Sequence, residues 1–330
     1  MVLKKIIVVT SIIELIIIVV LAVNIYKNKH EVLGTKVSIN PISKEDIIFP
    51  NQDNPSELKH FYEPAPNKII NNKPSWLPSD YSYTITTNTD GLNERFDYST
   101  EKDPSIFRIV TIGDSFTFGI YVDTKENYPE RLEDILNDNS LCKTSKKFEV
   151  INLGVWGYDI EYSVHRFKMR GQKYNPDLVL WYLVGNDFSV INEIVSPKAI
   201  QYRKEMLADK ALLSKFYGKG EFYPWWEKAI QELAEEVNRL GGLEYQKTAL
   251  DRLNDYYKGK LVLGTFSSLK NLYVQALRDF AKVRSGTYIF DGLTSDYDQF
   301  ADRHPASKGY EQIASGVFDY INSNHLIPCD

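Results

Sequence analysis

The sequence predicts an α/β protein, with a three-layer α/β/α domain built on a five-stranded parallel sheet. One observation is that five segments rich in β-formers alternate with segments whose apolar residues recur at helical spacing. The other is that these five segments are nearly continuous apolar runs, as in strands that are buried on both faces. In chain order they are FRIVTIG, KFEVINLG, DLVLWYLVGND, KLVLGTF and TYIFDGL.

The first of these strands ends in a turn that carries a serine. Residues 109–112 are β-formers, and the segment after the turn places apolar residues at helical spacing around 132–136. Ser115 is therefore predicted on a strand-to-helix turn at the carboxyl edge of the sheet, where open α/β sheets bind ligands. The alternative is that Asp114 or Ser115 only caps the helix that follows.

A long tract separates the third strand from the fourth. Residues 197–258 are too many for one crossover helix, and their Leu, Ala, Glu and Lys content predicts a helical insertion that YGKGEFYPWW interrupts. We interpret the aromatic residues of this break, Tyr223, Trp225 and Trp226, as packing of the insertion onto the domain. An aromatic lid or a membrane-facing lip is the alternative.

The amino-terminal residues 1–29 are predicted to form a membrane anchor. Residues 6–26 are almost unbroken apolar, and a bilayer core needs about 20 such residues. Glu14 near the middle costs roughly 2.5 to 3.5 kcal/mol, but the Ile, Val and Leu residues around it contribute about −0.3 to −0.6 kcal/mol each. We therefore expect an uncleaved single-pass helix with the rest of the chain extracytoplasmic; a cleaved signal peptide is the alternative.

Between the anchor and the domain, residues 30–81 are rich in Asn, Pro, Lys and Ser and are interpreted as a stalk or loosely packed arm. The main domain is predicted to span residues 82–330. The segment YSYTITTNTDGLNERFDYS, which begins at residue 81, leads into this domain; we expect it to be extended or to form a hairpin and to pair at the edge of the sheet.

Composition excludes several classes of function. The formal net charge of −5 leaves no basic excess for nucleic acid. The two cysteines, Cys142 and Cys329, exclude a disulfide framework or a multi-cysteine zinc site, and whether they pair with each other stays open. The five histidines show no metal-binding spacing, so we expect neither a metal nor another cofactor.

Further polar features follow the other predicted strands. GVWG, with Gly154 and Gly157, follows the second strand, and Asn186 follows the third. Asp302 and His304 lie just before the last helix. Because the carboxyl ends of parallel strands share one edge, we expect these residues to meet near Ser115, where they supply a nucleophile, a base, an acid and N–H donors for acyl transfer.

In this respect the sequence resembles the SGNH, or GDSL-type, hydrolase superfamily, through the blocks GDSF, GVWG, VGND and DRHP. The resemblance implies a flavodoxin-like sheet, with Ser115 as nucleophile, His304 as base and Asp302 as orienting acid. It also implies an oxyanion hole made by the backbone N–H groups of Ser115 and Gly157 and the side-chain amide of Asn186. Gly154 is the competing choice for the glycine.

The sequence departs from the family pattern at two places. The glycine that the third block usually places two residues before the asparagine is replaced by Val184, and Gly185 is displaced by one. Only Arg303 separates Asp302 from His304, whereas the family often has two residues there. Asp298 is therefore the alternative acid.

The resulting hypothesis is a membrane-tethered serine esterase that cleaves carboxylic esters, on acylated glycans or lipids of the cell envelope. An acyltransferase that passes the acyl group to a sugar hydroxyl would use the same residues. A non-catalytic surface-binding domain is the alternative from another class, and it would not need to keep the serine, asparagine and histidine together.

Overall fold

The computed structural model describes residues 46–51, 57–72, 76–77, 80–138, 140–209, 211–212, 215 and 223–329. The strands in this part of the chain are β1 Ile47–Ile48, β2 Glu63–Pro64, β3 Ile69–Asn72, β4 Tyr83–Thr86, β5 Ile106–Gly113, β6 Lys147–Asn152, β7 Leu178–Leu183, β8 Lys260–Phe266 and β9 Thr287–Leu293. Five of them form the main sheet, all parallel, in the order β6-β5-β7-β8-β9. The predicted parallel sheet is confirmed.

Helices cover both faces of this sheet. They are α1 Ser115–Phe118, α2 Tyr128–Asn137, α3 Ile160–Arg166, α4 Gly185–Ser189, α5 Asn192–Ala208, α6 Pro224–Arg239, α7 Gly242–Tyr256, α8 Asn271–Val283 and α9 Ser307–Ser323. The chain also forms 3-10 turns at Thr124–Glu126 and Gln172–Tyr174, and a π-turn at Phe167–Gly171.

Two apolar cores separate the three layers. On one face, Val110 and Ile112 of β5 pack in the same core as residues of α3, α7 and α8. On the other face, Ile109 of the same strand packs in a core with residues of α2 and α9. Alternate residues of β5 thus point to opposite faces, and all six residues of the central strand β7 are buried. Burial on both faces explains the continuous apolar runs in the sequence.

The helical insertion is built mainly from α5 and α6, which share a core of their own. This insertion begins earlier than predicted, because α5 starts at Asn192 and contains Pro197. The predicted range also included α7, but Leu250 and Leu253 of this helix pack against the sheet as a crossover helix. Part of the break between the two insertion helices, residues 216–222, lies outside the described residues.

The segment before the sheet differs from the predicted stalk. Phe61 is fully buried in an aromatic cluster with Tyr158 and Tyr162. Glu63 is also buried, and it forms ion pairs with Arg166 and Arg170. The described residues from 57 to 77 are therefore packed against the domain and do not form a loose arm. We call residues 57–72 the arm segment below.

The predicted hairpin segment also pairs differently from expectation. Strand β4 pairs with β3 of the arm segment in a separate antiparallel ribbon, not with the edge of the main sheet. The chain turns at Asp90-Gly91, where Gly91 has φ 71° and any Cβ would lie 2.4 Å from the Pro64 carbonyl oxygen. Pairing with the arm segment was invisible in the sequence because β3 lies in a stretch rich in Asn, Pro and Lys.

The two cysteines are joined. A disulfide links Cys142, in the loop after α2, to Cys329, which follows α9. It ties the carboxyl terminus to the domain across 187 residues of sequence.

The membrane prediction concerns residues that the structure does not describe, since the apolar stretch 6–26 falls within the undescribed residues 1–45. Within the described part of the chain, no helix is both long enough and apolar enough to cross a bilayer.

Candidate active site

The residues singled out in the sequence follow strands that are neighbours in the sheet. Ser115 opens α1 directly after β5, Gly157 lies in the loop after β6, and Asn186 lies in α4 after β7. The order β6-β5-β7 places these three at one edge of the sheet. Asp302 and His304 belong to the loop that leads into α9, and this loop reaches the same edge.

Ser115, His304 and Asp302 form a continuous hydrogen-bonded chain. The Ser115 hydroxyl oxygen lies 2.8 Å from His304 Nε2, and His304 Nδ1 lies 2.8 Å from Asp302 Oδ2. The Asp302 side chain is only 2% exposed, whereas the His304 side chain is 13% exposed. The acid is therefore enclosed by protein, and the base is partly accessible to solvent. This arrangement can take a proton from the serine and hold the resulting imidazolium.

The short spacing between the acid and the base is accommodated by backbone conformation. Arg303, the single residue between them, has φ 71°, a left-handed conformation that is uncommon outside glycine. The turn is closed by a bond from the Phe300 N–H to the His304 carbonyl at 2.8 Å. Asp302 Oδ1 also accepts the His304 backbone N–H at 3.2 Å. Asp298, the alternative acid, is exposed and contacts His304 in no described bond.

The capping role belongs to the aspartate beside the serine. Asp114 is the N-cap of α1, and its Oδ1 accepts the Phe116 N–H at 2.9 Å. Ser115 is therefore not needed as the cap, and its hydroxyl is free to bond His304. Burial raises the pKa of the Asp114 carboxyl, against the effect of its hydrogen bonds. Its other oxygen, Oδ2, lies 3.4 Å from both the Ser115 hydroxyl and the Asn186 amide nitrogen.

The two glycines of the second block have different surroundings. The Gly154 N–H donates to Asn152 Oδ1 at 2.9 Å, and a Cβ on Gly154 would lie 2.3 Å from the Phe118 nitrogen. Gly154 thus serves close packing against α1, and its N–H is occupied. Gly157 has φ 73°, and among the described residues its N–H donates no hydrogen bond. Of the two, only Gly157 has an N–H available for a ligand.

The third block, VGND, contains two polar residues with different roles, as the second block contains two different glycines. Asp187 is buried, and its Oδ2 accepts the Val184 N–H at 2.7 Å at the start of α4. Burial raises the pKa of this carboxyl well above its ordinary value, and the nearby Asp114 adds to the effect. Asn186 is exposed, and the 3.4 Å approach to Asp114 is its one described side-chain bond. Asp187 therefore does the capping, and the Asn186 amide is free to face a ligand.

Aromatic side chains enclose the histidine ring. The ring centroids of Phe116 and Tyr121 lie 5.1 Å and 5.4 Å from that of His304. Tyr223, at the start of the second insertion helix, donates its hydroxyl to Asp302 Oδ2 at 3.0 Å. The sequence interpretation of Tyr223 as a packing residue is thus incomplete, because its hydroxyl bonds the acid. Trp225 is buried in the insertion core, as expected of a packing residue.

Comparison with known proteins gives matches among solved structures. No family model matches the chain, and no curated protein matches it. TesA is 15% identical, covers 67% of this chain and 99% of its own, and has a TM-score of 0.37. The psychrotrophic esterase EstA from Pseudoalteromonas sp. is 14% identical, with 66% and 98% covered and a TM-score of 0.41. The Clostridium thermocellum family 3 carbohydrate esterase is 14% identical, with 66% and 96% covered and a TM-score of 0.35.

Proposed function

We propose that this chain is a serine esterase of the SGNH type, with Ser115 as its nucleophile. The observation that carries the proposal is the chain of two 2.8 Å contacts from Ser115 through His304 to Asp302. A binding domain has no need of a hydroxyl bonded to an imidazole that is itself oriented by a buried carboxylate. Acyl transfer through a serine nucleophile uses this arrangement to activate the hydroxyl.

In the first half of the reaction, Ser115 Oγ attacks the carbonyl carbon of the ester while His304 Nε2 takes the hydroxyl proton. Asp302 holds the Nδ1–H of the ring and stabilises the imidazolium. The tetrahedral intermediate then collapses, the bond to the alcohol oxygen breaks, and His304 returns the proton to the leaving alcohol. Water attacks the acyl-serine by the same steps and releases the carboxylic acid.

The negative charge of the tetrahedral intermediate needs donors that are in place before the reaction. The Gly157 N–H and the Asn186 amide have no strong competing acceptor among the described residues. The N–H of Ser115 itself is the third proposed donor. All three follow neighbouring strands, which supports a common oxyanion hole.

We also propose that the domain is extracytoplasmic and tethered to the membrane through residues 6–26. The bond between Cys142 and Cys329 supports an oxidising compartment, where disulfides persist. The substrate is then an acylated glycan or lipid of the envelope. The full-length protein is expected to resist carbonate extraction from membranes, and amino-terminal sequencing that begins at Val23 would indicate a cleaved signal instead.

Activity is tested with a panel of model esters of short and long acyl chains and with a fluorophosphonate probe. Wild-type protein should release acid and become labelled, and Ser115→Ala should do neither. Product analysis with sugar acceptors present distinguishes transfer from hydrolysis. Labelling that persists in Ser115→Ala, or ester cleavage without labelling of the wild type, would reject Ser115 as the nucleophile.

A further inference from the structure

The arm segment contacts the loop that carries Gly157. The Tyr62 hydroxyl donates to the Trp156 carbonyl oxygen at 2.7 Å, although the two residues are 94 positions apart. That carbonyl belongs to the peptide unit whose N–H is that of Gly157. In a trans peptide the C=O and N–H bonds point in opposite directions. An anchor on the Trp156 oxygen therefore fixes the direction of the Gly157 N–H, which points away from Tyr62.

The following peptide unit, which contains the Gly157 carbonyl, is held by a residue of the helical insertion. Asn192, at the start of the helical insertion, donates its side-chain amide to the Gly157 carbonyl at 2.5 Å. Gly157 is thus fixed on both sides, by Tyr62 before it and by Asn192 after it. A Cβ at Gly157 would lie 3.0 Å from the Tyr62 hydroxyl oxygen, so the close approach of this hydroxyl also favours glycine.

The loop lies against the nucleophile's helix. The Val155 N–H donates to the carbonyl of Gly113, two residues before Ser115, at 3.2 Å. The Trp156 and Phe118 rings meet edge to face, with their centroids 4.9 Å apart. A rotation of the Trp156–Gly157 peptide would therefore turn the Gly157 N–H, the proposed oxyanion donor, to a different direction.

From this geometry we infer that Tyr62 is a positioning residue for the oxyanion hole. The inference rests on the proposed esterase function. Tyr62 does not touch the reacting atoms; its hydroxyl holds the peptide whose N–H receives the developing negative charge. A hydrogen bond to the carbonyl also polarises the amide and strengthens its N–H as a donor, by about 10–30% in condensed-phase estimates. Tyr62 is 7% exposed, and burial raises its pKa, so the hydroxyl stays a neutral donor.

The kinetic test compares Tyr62→Phe with Tyr162→Phe. Both tyrosines belong to one buried aromatic cluster, but the Tyr162 hydroxyl donates to Glu193 at 2.8 Å and not to the Gly157 loop. With activity normalised to the sites that a fluorophosphonate titrates, Tyr62→Phe should lower kcat about tenfold and change KM less than about twofold. Tyr162→Phe should lose stability and keep the wild-type kcat. Equal kcat values for Tyr62→Phe and the wild type, or equal losses in both variants, would overturn the inference.

A spectroscopic test needs no catalysis. Trp156-Gly157 is the single Trp-Gly pair in the sequence, so labelling with carbonyl-13C tryptophan and 15N glycine gives one carbonyl–amide cross-peak. In the full chain in detergent, Tyr62→Phe should move the Trp156 carbonyl carbon upfield, and Tyr162→Phe should leave it in place. An unmoved carbonyl resonance in Tyr62→Phe would overturn the inference even for an active esterase.

One measurement uses the wild type alone and therefore does not depend on the folding of a variant. A phosphonate bound to Ser115 places an oxygen in the oxyanion hole, and the Gly157 amide proton should shift downfield. Labelled Ser115 with an unmoved Gly157 resonance would reject Gly157 as an oxyanion donor, and with it the positioning role of Tyr62, while leaving Ser115 as the nucleophile of an esterase. A wild type that neither labels nor cleaves esters would reject the esterase proposal itself, and with it the role of Tyr62.

Discussion

Asn186 offers the sharpest separation between a catalytic and a structural role. Its proposed function is to stabilise charge that exists only in the transition state. Asn186→Ala should therefore lower kcat by about 10²- to 10³-fold, equivalent to roughly 2.7–4 kcal/mol, with little change in KM. A residue that only capped a helix would cost about 0.5–2 kcal/mol of folding stability and leave kcat nearly unchanged.

The structure predicts that the folding cost of this substitution is small. Asp187, not Asn186, caps α4, and the Asn186 side chain is exposed with one described bond of 3.4 Å. A bond of that length contributes less than the roughly 0.5–1.5 kcal/mol of a typical hydrogen bond. At about 2–4 °C per kcal/mol, the melting temperature should fall by less than about 2 °C.

The assay measures kcat, KM and the melting temperature on the same purified protein. Ser189→Ala is the matched control, because Ser189 is an exposed residue of the same short helix and, among the described residues, its hydroxyl donates to the Gly185 carbonyl alone. It should retain wild-type kcat. An Asn186→Ala protein with a lowered melting temperature and full turnover would refute the reasoning, and it would remove Asn186 from the oxyanion hole.

Three further predictions concern the acid, the disulfide and a buried glutamate. Asp302→Ala should lower kcat by about 10³- to 10⁴-fold, whereas Asp298→Ala should stay near the wild type; equal losses in steady-state assays would contradict the assignment. Reducing the Cys142–Cys329 bond, which closes 187 residues, should lower the unfolding free energy by about 5 kcal/mol by loop entropy, and urea denaturation with and without reductant would show it. Burial raises the pKa of Glu133 from 4.5 to about 7, so the folded state binds this proton more tightly than the unfolded state. The stability that this proton contributes is present below pH 4.5 and is lost as the pH rises to about 7, a change of about 3 kcal/mol; Glu133→Gln should flatten this slope in urea titrations between pH 4.5 and 8.

The elements that sequence predicted correctly are those whose pattern reflects burial. The residues of β7 are apolar on both faces because both faces are covered, so their run stands out against any neighbouring segment. Ser115 and Asn186 could be placed together because they end adjacent parallel strands, and the carboxyl ends of such strands share an edge. In these cases the parallel sheet brings together residues that are far apart in the sequence.

Features that depend on a single contact with a distant segment could not be predicted. Strand β3 has no alternating pattern, and it forms only because β4 is available beside it. The reach of Asp302 to His304 depends on the left-handed Arg303, and no rule assigns that conformation to an arginine. The pairing of Cys142 with Cys329 depends on where α2 and α9 end in space, which two cysteines alone do not reveal.

The arm segment and the helical insertion both lie outside the main sheet, and each contributes a tyrosine that bonds a loop of the site. The sheet edge carries Ser115 and the proposed oxyanion donors, but a strand end does not fix the orientation of a following loop. Each of these segments holds one such loop: Tyr62 of the arm segment bonds the Trp156 carbonyl, and Tyr223 of the insertion bonds Asp302. Glu63, next to Tyr62, is buried against two arginines, so the arm segment cannot leave without exposing an ion-pair network and freeing the Trp156 peptide. A change that undocks the arm segment should therefore also abolish the activity of the site.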